Sequence, residues 1–163
     1  MKKRWSEAGM TLVELAVILV ILSILAVALY PSLGNVLKVT ASKGAAEEVA
    51  GAVRLARQYA ITRGSNHCIA FSGSPNTTFT IKTASTDSAC DGGAIQPAQA
   101  IGHGLAVVSP TNLSIIFNGV GNVRNFAPGN PTVTLTVDTT PSTCANNVLV
   151  TLYGGVRVSQ GTC

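Results

Sequence analysis

A single carboxylate, Glu14, interrupts an otherwise apolar stretch of this chain. Between Met10 and Tyr30, only Thr11, Glu14 and Ser23 are not apolar. A carboxylate in a membrane-spanning helix costs about 2.5–3.5 kcal/mol on insertion scales. A buried charge is tolerated when it is paired and costly when it is not. The chemistry expected of Glu14 is therefore an ion pair with a cationic partner.

Four cysteines form the second group with chemical potential. None is in a Cys-x-x-Cys pair, and the two histidines show no ligand spacing with them, so no metal site is expected. Four cysteines allow three pairings, of which we favour the neighbours in sequence, Cys68 with Cys90 and Cys144 with Cys163. Each bridge closes a loop of roughly 20 residues and stabilises by about 3 kcal/mol in the chain-entropy model.

Catalytic motifs are absent from the sequence. It contains no Gly-x-Ser-x-Gly, no His-Glu-x-x-His and no P-loop. Gly119-Val120-Gly121 is predicted to be a turn rather than a nucleotide-binding loop, because no helix follows it. We therefore predict no catalytic residue, no cofactor and no enzyme, but a structural or binding protein.

The composition favours a protein that leaves the cytoplasm. Its 163 residues are 47% hydrophobic and only 11% charged, with a mean hydropathy of +0.39, which excludes a disordered chain. Part of the net charge of +4 comes from Lys2, Lys3 and Arg4, immediately before the apolar run. That run would form a helix about 31 Å long at roughly 1.5 Å per residue, which matches a hydrocarbon core of about 30 Å.

Three hypotheses fit this N-terminus. A secretory signal peptide would have a shorter apolar region of about 7–15 residues, although Ala26 and Ala28 form a small-x-small pair. A plain single-pass anchor leaves Glu14 unexplained. The third hypothesis comes from a resemblance that accounts for both the glutamate and the short leader.

The segment Gly9–Glu14, with the sequence GMTLVE, resembles the class III signal of type IV pilins and type II secretion pseudopilins. In that family a prepilin peptidase cuts after the glycine, the new N-terminus is methylated, and the apolar helix becomes the filament core. The resemblance implies cleavage between Gly9 and Met10, methylation of Met10, and a helix kink at Pro31 and Gly34. Met10 departs from the family's usual phenylalanine. The implied partners are the membrane, other pilins or pseudopilins, the prepilin peptidase and an inner-membrane assembly platform.

The same resemblance gives Glu14 a role as the registry charge of assembly. It implies that Glu14 pairs with the new amine on Met10 of a neighbouring subunit. Two alternatives stay open: Glu14 pairs with the amine of its own chain, or it snorkels to the membrane interface.

The predicted organisation is α+β, with a long N-terminal helix packed on an antiparallel β-sheet head. Its segments are a leader at 1–9, a transmembrane and filament-core helix at 10–30, an amphipathic helix at 31–64, and a disulfide-linked β head at 65–163. Within the second helix, apolar positions recur at i, i+3 and i+4 spacing: Ala45, Val49, Ala52, Val53, Ala56 and Ala60. Gly44 and Gly51, each costing about 1 kcal/mol relative to alanine, suggest close helix packing or a bend. The interpretation favoured for Arg54 and Arg57 is a solvated helix face, with phosphate binding as the alternative.

The helix is predicted to end at Arg63-Gly64, a base followed by a C-terminal glycine. Short runs bounded by turn residues then predict strands, and Thr132–Val137 alternates with a period of two. These strands are at His67–Ser72, Thr78–Ala84, Leu105–Val108, Leu113–Phe117, Val123–Phe126, Thr132–Val137, Val148–Tyr153 and Val156–Ser159.

The segment Arg54–Arg63, leading into a cysteine-containing strand, resembles the GspH/FimT branch of the pilin family. That branch holds minor pilins and the type II secretion pseudopilin H, so the resemblance implies a structural subunit of a type IV pilus or a secretion pseudopilus. It also implies a single-pass protein of the inner membrane with its head in the periplasm, which then enters a pilus or pseudopilus and reaches the cell surface in some systems.

Some members of this branch bind DNA through a Gly-Arg-x-Arg stretch. Here the aligned residues are Gly154-Gly155-Val156-Arg157, so the first arginine is missing, and losing a cation removes a phosphate contact. Arg157, Arg124 and Lys82 are the candidate DNA contacts. Three functional alternatives stay open: a DNA-binding minor pilin for DNA uptake, a tip adhesin, and a membrane-anchored periplasmic β-domain that never polymerises.

Overall fold

The computed structural model describes residues 11–73, 77–104, 106–110, 113–125, 132–139 and 145–161, with the backbone alone at 28–38, 103–104 and 139. Four residues to which the sequence assigns a role, Gly9, Met10, Cys144 and Cys163, lie outside this part of the chain. The chain divides into two compact units, Met1–Leu37 and Lys38–Cys163.

One long helix, α1 (Leu12–Arg63), occupies the N-terminal part of the described chain. Its backbone stays helical through Pro31 and Gly34, and the kink at these residues stays a prediction. Among the residues that the structure describes, no helix combines the length and the hydropathy needed to span a membrane.

The end of α1 lies where the sequence predicts it. Gly64 has a φ of 60°, and its N–H donates to the carbonyl of Ile61 at 3.4 Å. The N–H of Ser65 donates to the carbonyl of Ala60 at 3.3 Å. These two bonds form a Schellman motif, whose left-handed residue favours glycine because a Cβ atom would be strained there.

The described residues after α1 form two four-stranded antiparallel sheets, where the sequence analysis predicted one antiparallel head without dividing it. The first sheet has the order β3-β2-β1-β5 and the second β4-β6-β7-β8. A short 3₁₀ helix at Ile101–Gly104 joins them. The strands are β1 (His67–Ser72), β2 (Thr78–Thr83), β3 (Gln99–Ala100), β4 (Ala106–Ser109), β5 (Ser114–Phe117), β6 (Thr132–Thr139), β7 (Asn146–Thr151) and β8 (Val156–Gln160).

Helix α1 and both sheets share one apolar core. All six alanine and valine positions of the predicted helix stripe are buried, as the 3.6-residue period requires. Strands contribute alternate residues to the same cluster, for example Ile69 and Phe71 from β1 and Val148 and Val150 from β7. The small side chains of the helix stripe let its backbone approach the sheets closely.

Two parts of the strand prediction are wrong. Val123 makes a single bridge to Phe117 rather than starting a strand, because the Asn125 side chain takes the place of a backbone partner. Its Oδ1 accepts from the N–H of Ile116 at 3.0 Å, and its Nδ2 donates to the carbonyl of Ser114. The strand β3 and the 3₁₀ helix after it were not predicted, since Gln99–Ala100 is too short to show a period.

Candidate functional site

The first turn of α1 is organised by Thr11 and Glu14. Thr11 is the N-cap: its Oγ1 accepts from the N–H of Glu14 at 3.2 Å, and its carbonyl accepts from the N–H of Leu15 at 3.2 Å. Glu14 is thus the third helical residue, the position that glutamate or glutamine takes in a capping box. A negative charge in the first turn also interacts favourably with the helix dipole.

The Glu14 carboxylate has no hydrogen-bond or ion-pair partner within the described part of the chain. The capping geometry was not anticipated from the sequence, although the Thr-x-x-Glu spacing contains the signal. Glu14 therefore occupies a capping-box position without a capping bond from its carboxylate in the described chain, and its charge is available to a second molecule.

The turns of α1 that follow Glu14 present an apolar surface all round. Large side chains from Leu12 to Val27 are exposed, with exposed fractions from 36% at Ile18 to 85% at Leu12. A shallow groove on this surface has an entirely apolar lining. It is lined by Leu12, Val13, Ala16, Val17, Val20 and Ile21. Such a surface is expected to be covered by lipid or by other protein.

The outer face of the first sheet carries the predicted Cys68–Cys90 disulfide. Its Cα atoms are 5.8 Å apart. Cys68 alternates with the core-facing residues His67 and Ile69 along β1, so the bridge lies on the side of the sheet away from the core. It fastens the segment 84–98 to that face. The second predicted bridge, Cys144–Cys163, lies outside the described residues.

Two carboxylates hold the same segment in place. Asp87 accepts from Arg124 Nε at 2.9 Å and from Asn66 Nδ2 at 3.0 Å, and it forms an ion pair with Arg124. The hydrogen bond from Arg124, helped by its charge and by Asn66, lowers the pKa of Asp87 although partial desolvation opposes it. Asp91 accepts from Ser85 Oγ at 2.7 Å, and the hydrogen bonds from Ser85 lower the pKa of Asp91.

The three candidate DNA contacts are not brought together in a described cluster. Arg124 is engaged with Asp87, which also raises the pKa of its guanidinium. Lys82 belongs to β2 in the first sheet, whereas Arg157 is exposed on β8 in the second. No observation on these three residues favours a phosphate-binding surface.

Two arginines of α1 hold the turns at the end of the head, a role that sequence patterns did not reveal. Arg57 Nε donates to the carbonyl of Gly121 at 3.0 Å, and an Arg54 N–H donates to the carbonyl of Val156 at 3.4 Å. Gly154 packs so closely here that a Cβ atom on it would lie 2.3 Å from the Gly121 oxygen. Arg54 lies on an exposed face of α1, as the interpretation from the sequence favoured, whereas Arg57 is half-buried against the turn at Gly121.

One buried polar side chain of β1 was also missed. His67 is fully buried; its Nδ1 is 3.0 Å from the carbonyl of Ser65, and its ring stacks on Tyr59. Its Nε2 has no hydrogen-bond partner among the described residues. Within the described ranges, no group of three or more His, Cys, Asp or Glu side chains is placed to hold a metal ion.

The N-terminal segment, the long helix and the β head define a class: a protein with an N-terminal methylation signal on a helix that packs against antiparallel sheets. The prokaryotic N-terminal methylation motif matches residues 6–30. The family described as type II transport protein GspH matches residues 45–152, which is more than half of the chain. This chain belongs to the GspH family, a family of minor pilins and pseudopilins.

Solved structures share the fold at low sequence identity. The type IV minor pilin FimU of Pseudomonas aeruginosa is 16% identical with a TM-score of 0.53, over 72% of this chain and 91% of that one. The minor pseudopilin EpsH from the type 2 secretion system of Vibrio cholerae is 14% identical with a TM-score of 0.53, over 73% of this chain and 96% of that one. A comparison with curated proteins gave no significant match.

Proposed function

We propose that this chain is a structural subunit, a minor pilin or pseudopilin, that enters a type IV pilus or a type II secretion pseudopilus through its N-terminal helix. The observation that carries the proposal is the exposed apolar surface from Leu12 to Val27, interrupted by one carboxylate that has no partner within the described chain. Membership of the GspH family and the methylation motif support it.

The proposed maturation and placement follow the segments predicted from the sequence. Prepilin peptidase removes residues 1–9, Met10 is methylated, and residues 10–30 anchor the protein in the inner membrane with its head, 65–163, in the periplasm. The assembly platform then moves the subunit into the filament, where other pilins cover the apolar surface and residues 31–64 support the head.

The proposed role of Glu14 is to pair with the methylated amine of a neighbouring subunit. An apolar surface by itself allows many sliding registers between parallel helices. A buried carboxylate favours the one register that supplies a cation, because breaking a buried pair costs about 3–5 kcal/mol.

Two substitutions separate the charge of Glu14 from the size and polarity of its side chain. Glu14→Gln keeps the size and polarity and removes the charge, whereas Glu14→Ala removes the polar group as well. We expect both variants to be processed and to carry a folded head, and to fall in sheared filament fractions by more than about tenfold, the effect of about 1.4 kcal/mol or more. Glu47→Gln, a change at an exposed carboxylate later in α1, is the matched control and is expected to assemble normally.

Mass spectrometry of the exported protein provides the second measurement. A mature chain that starts at methylated Met10 is the expected result. A chain that starts at Met1 would support the plain anchor, and normal incorporation of Glu14→Gln would contradict the registry role.

A further inference from the structure

The exposed large apolar side chains of the head collect at one place. Among the described residues of Lys38–Cys163 five such side chains are exposed, and four of them lie near the end of α1. We call these four the Tyr153 patch: Ile61, Val120, Leu152 and Tyr153, with exposed fractions of 46%, 74%, 38% and 74%.

The members of the Tyr153 patch are joined by direct contacts between their segments. A Cβ atom on Gly121, next to Val120, would lie 2.7 Å from Ile61 Cδ1. The N–H of Val123 donates to the carbonyl of Leu152 at 2.9 Å. The patch is therefore one surface, built from the helix end and two turns.

The fold does not require large apolar residues at these turn positions. Val120 is the third residue of a turn closed by Gly121 N–H to Asn118 carbonyl at 2.8 Å. Leu152 and Tyr153 are the central pair of a turn closed by Gly154 N–H to Thr151 carbonyl at 2.8 Å. Glycine, asparagine, aspartate, serine and proline usually fill such positions, and a contiguous exposed apolar surface marks an interaction site.

Cations border the patch without carboxylate partners. Arg57 donates to Gly121, and the Arg63 guanidinium lies 5.2 Å from the centre of the Tyr59 ring. Gly64, beside Arg63, touches Gly119 of the first turn. In the described part of the chain, neither arginine is paired with an acid, so the complementary surface is one that carries carboxylates.

We propose that the Tyr153 patch docks an apolar, acidic segment of the head of a neighbouring filament subunit. The identity of this partner rests on the proposed function. Tyrosine and arginine are among the residues that dominate interface energetics. Arg57 ties the first turn to α1, and Gly154 of the second turn packs against Gly121 of the first. Because both turns are already held in place, little ordering entropy is lost on binding.

Photocrosslinking of the full chain in producing cells tests the proposal. A photoreactive residue replaces Tyr153, and the crosslinked peptide is identified by mass spectrometry. We expect a crosslink to another pilin-like subunit, at a peptide with carboxylates beside apolar residues. It should fall about tenfold or more with Val120→Ser or Arg63→Glu. Lys43→Glu, the same charge reversal on an exposed lysine earlier in α1, should leave it unchanged.

Several results would overturn the proposal. They are a crosslink only to lipid or nucleic acid, a protein crosslink at a peptide without carboxylates, no crosslink, or no response to Val120→Ser and Arg63→Glu. A photoreactive residue at Leu19, on the exposed apolar surface from Leu12 to Val27, reports assembly through the N-terminal helix. Crosslinks at Leu19 with none at Tyr153 would overturn only the docking proposal. The absence of crosslinks at both positions would contradict the proposed function as well.

Discussion

Asn146 of β7 donates a hydrogen bond from Nδ2 to Ser42 Oγ of α1 at 2.6 Å, across 104 residues of sequence. Both side chains are buried, at 5% and 0% exposure. The bond connects the start of the head part of α1 to the second sheet. It is a buried polar contact, so removing one partner takes a hydrogen bond from a desolvated group of the other.

We expect Ser42→Ala to destabilise the head by about 1–3 kcal/mol, the cost of an unsatisfied buried polar group. Chemical unfolding of the full chain in detergent solution measures the change. Because Ser42 has further contacts, the double variant with Asn146→Ala isolates the pair. Additive effects of the two substitutions would show that the bond contributes nothing.

Two glycines should respond to alanine in opposite directions. Gly154 has a φ of 74°, and a Cβ atom there would lie 2.4 Å from Arg57 Nε. Gly154→Ala should therefore lower the free energy of unfolding by more than about 1–2 kcal/mol, since strain and overlap add.

Gly51 gives the opposite case. It is exposed inside α1, and a Cβ atom would meet nothing within 4 Å among the described residues, so of the two alternatives drawn from the sequence, close packing and a bend, close packing is not seen here. Gly51→Ala should raise the free energy of unfolding by about 0.5–1 kcal/mol because alanine is the better helix former. Thermal unfolding followed by circular dichroism compares both variants. A change of stability in the same direction for Gly154→Ala and Gly51→Ala would contradict these predictions.

Replacing Cys68 and Cys90 together by alanine should lower the free energy of unfolding by about 3 kcal/mol. The bridge joins residues separated by 22 positions. The length of the loop between them determines how much conformational entropy the bridge removes from the unfolded chain. Urea unfolding gives the difference. Reduction should shift the midpoint of the parent protein further than that of the double variant, in which only the predicted Cys144–Cys163 bridge is left to reduce.

The Asp87–Arg124 pair gives a pH-dependent contribution. Because the pKa of Asp87 is lowered in the folded protein, its stabilisation is complete above the ordinary carboxyl pKa of about 3.9. It is lost as the pH falls through the lowered value. Asp87→Asn should therefore be less stable than the parent at neutral pH and equal to it at strongly acidic pH.

The pair is exposed to solvent, so the difference should be small and should shrink in high salt. Glu47→Gln serves as the control for removing one acid from the head. Melting temperatures from pH 2 to 7 provide the measurement. If the difference in melting temperature between Asp87→Asn and the parent grew as the pH fell, it would contradict the expected pH dependence.

Local periods in the sequence predicted α1 and most strands well, because those periods depend on neighbouring residues. The stripe from Ala45 to Ala60 follows the helical repeat, and Thr132–Val137 follows the strand repeat. Features that depend on distant partners were missed. Nothing near Arg57 in sequence shows that its partner is Gly121, and the Asn125 amide replaces a strand only because Ile116 lies beside it.

The contact of α1 with the last strands has a consequence for synthesis. The buried face of the helix meets β7, as the Ser42–Asn146 bond shows, and Arg54 on the exposed side of the helix reaches β8 at Val156. Translation makes β7 and β8 after the other described strands, so a nascent chain carries an uncovered Ala/Val stripe until these two strands leave the ribosome. The head therefore completes its core only after that point, and messages truncated before the codon for Asn146 would yield chains that cannot do so.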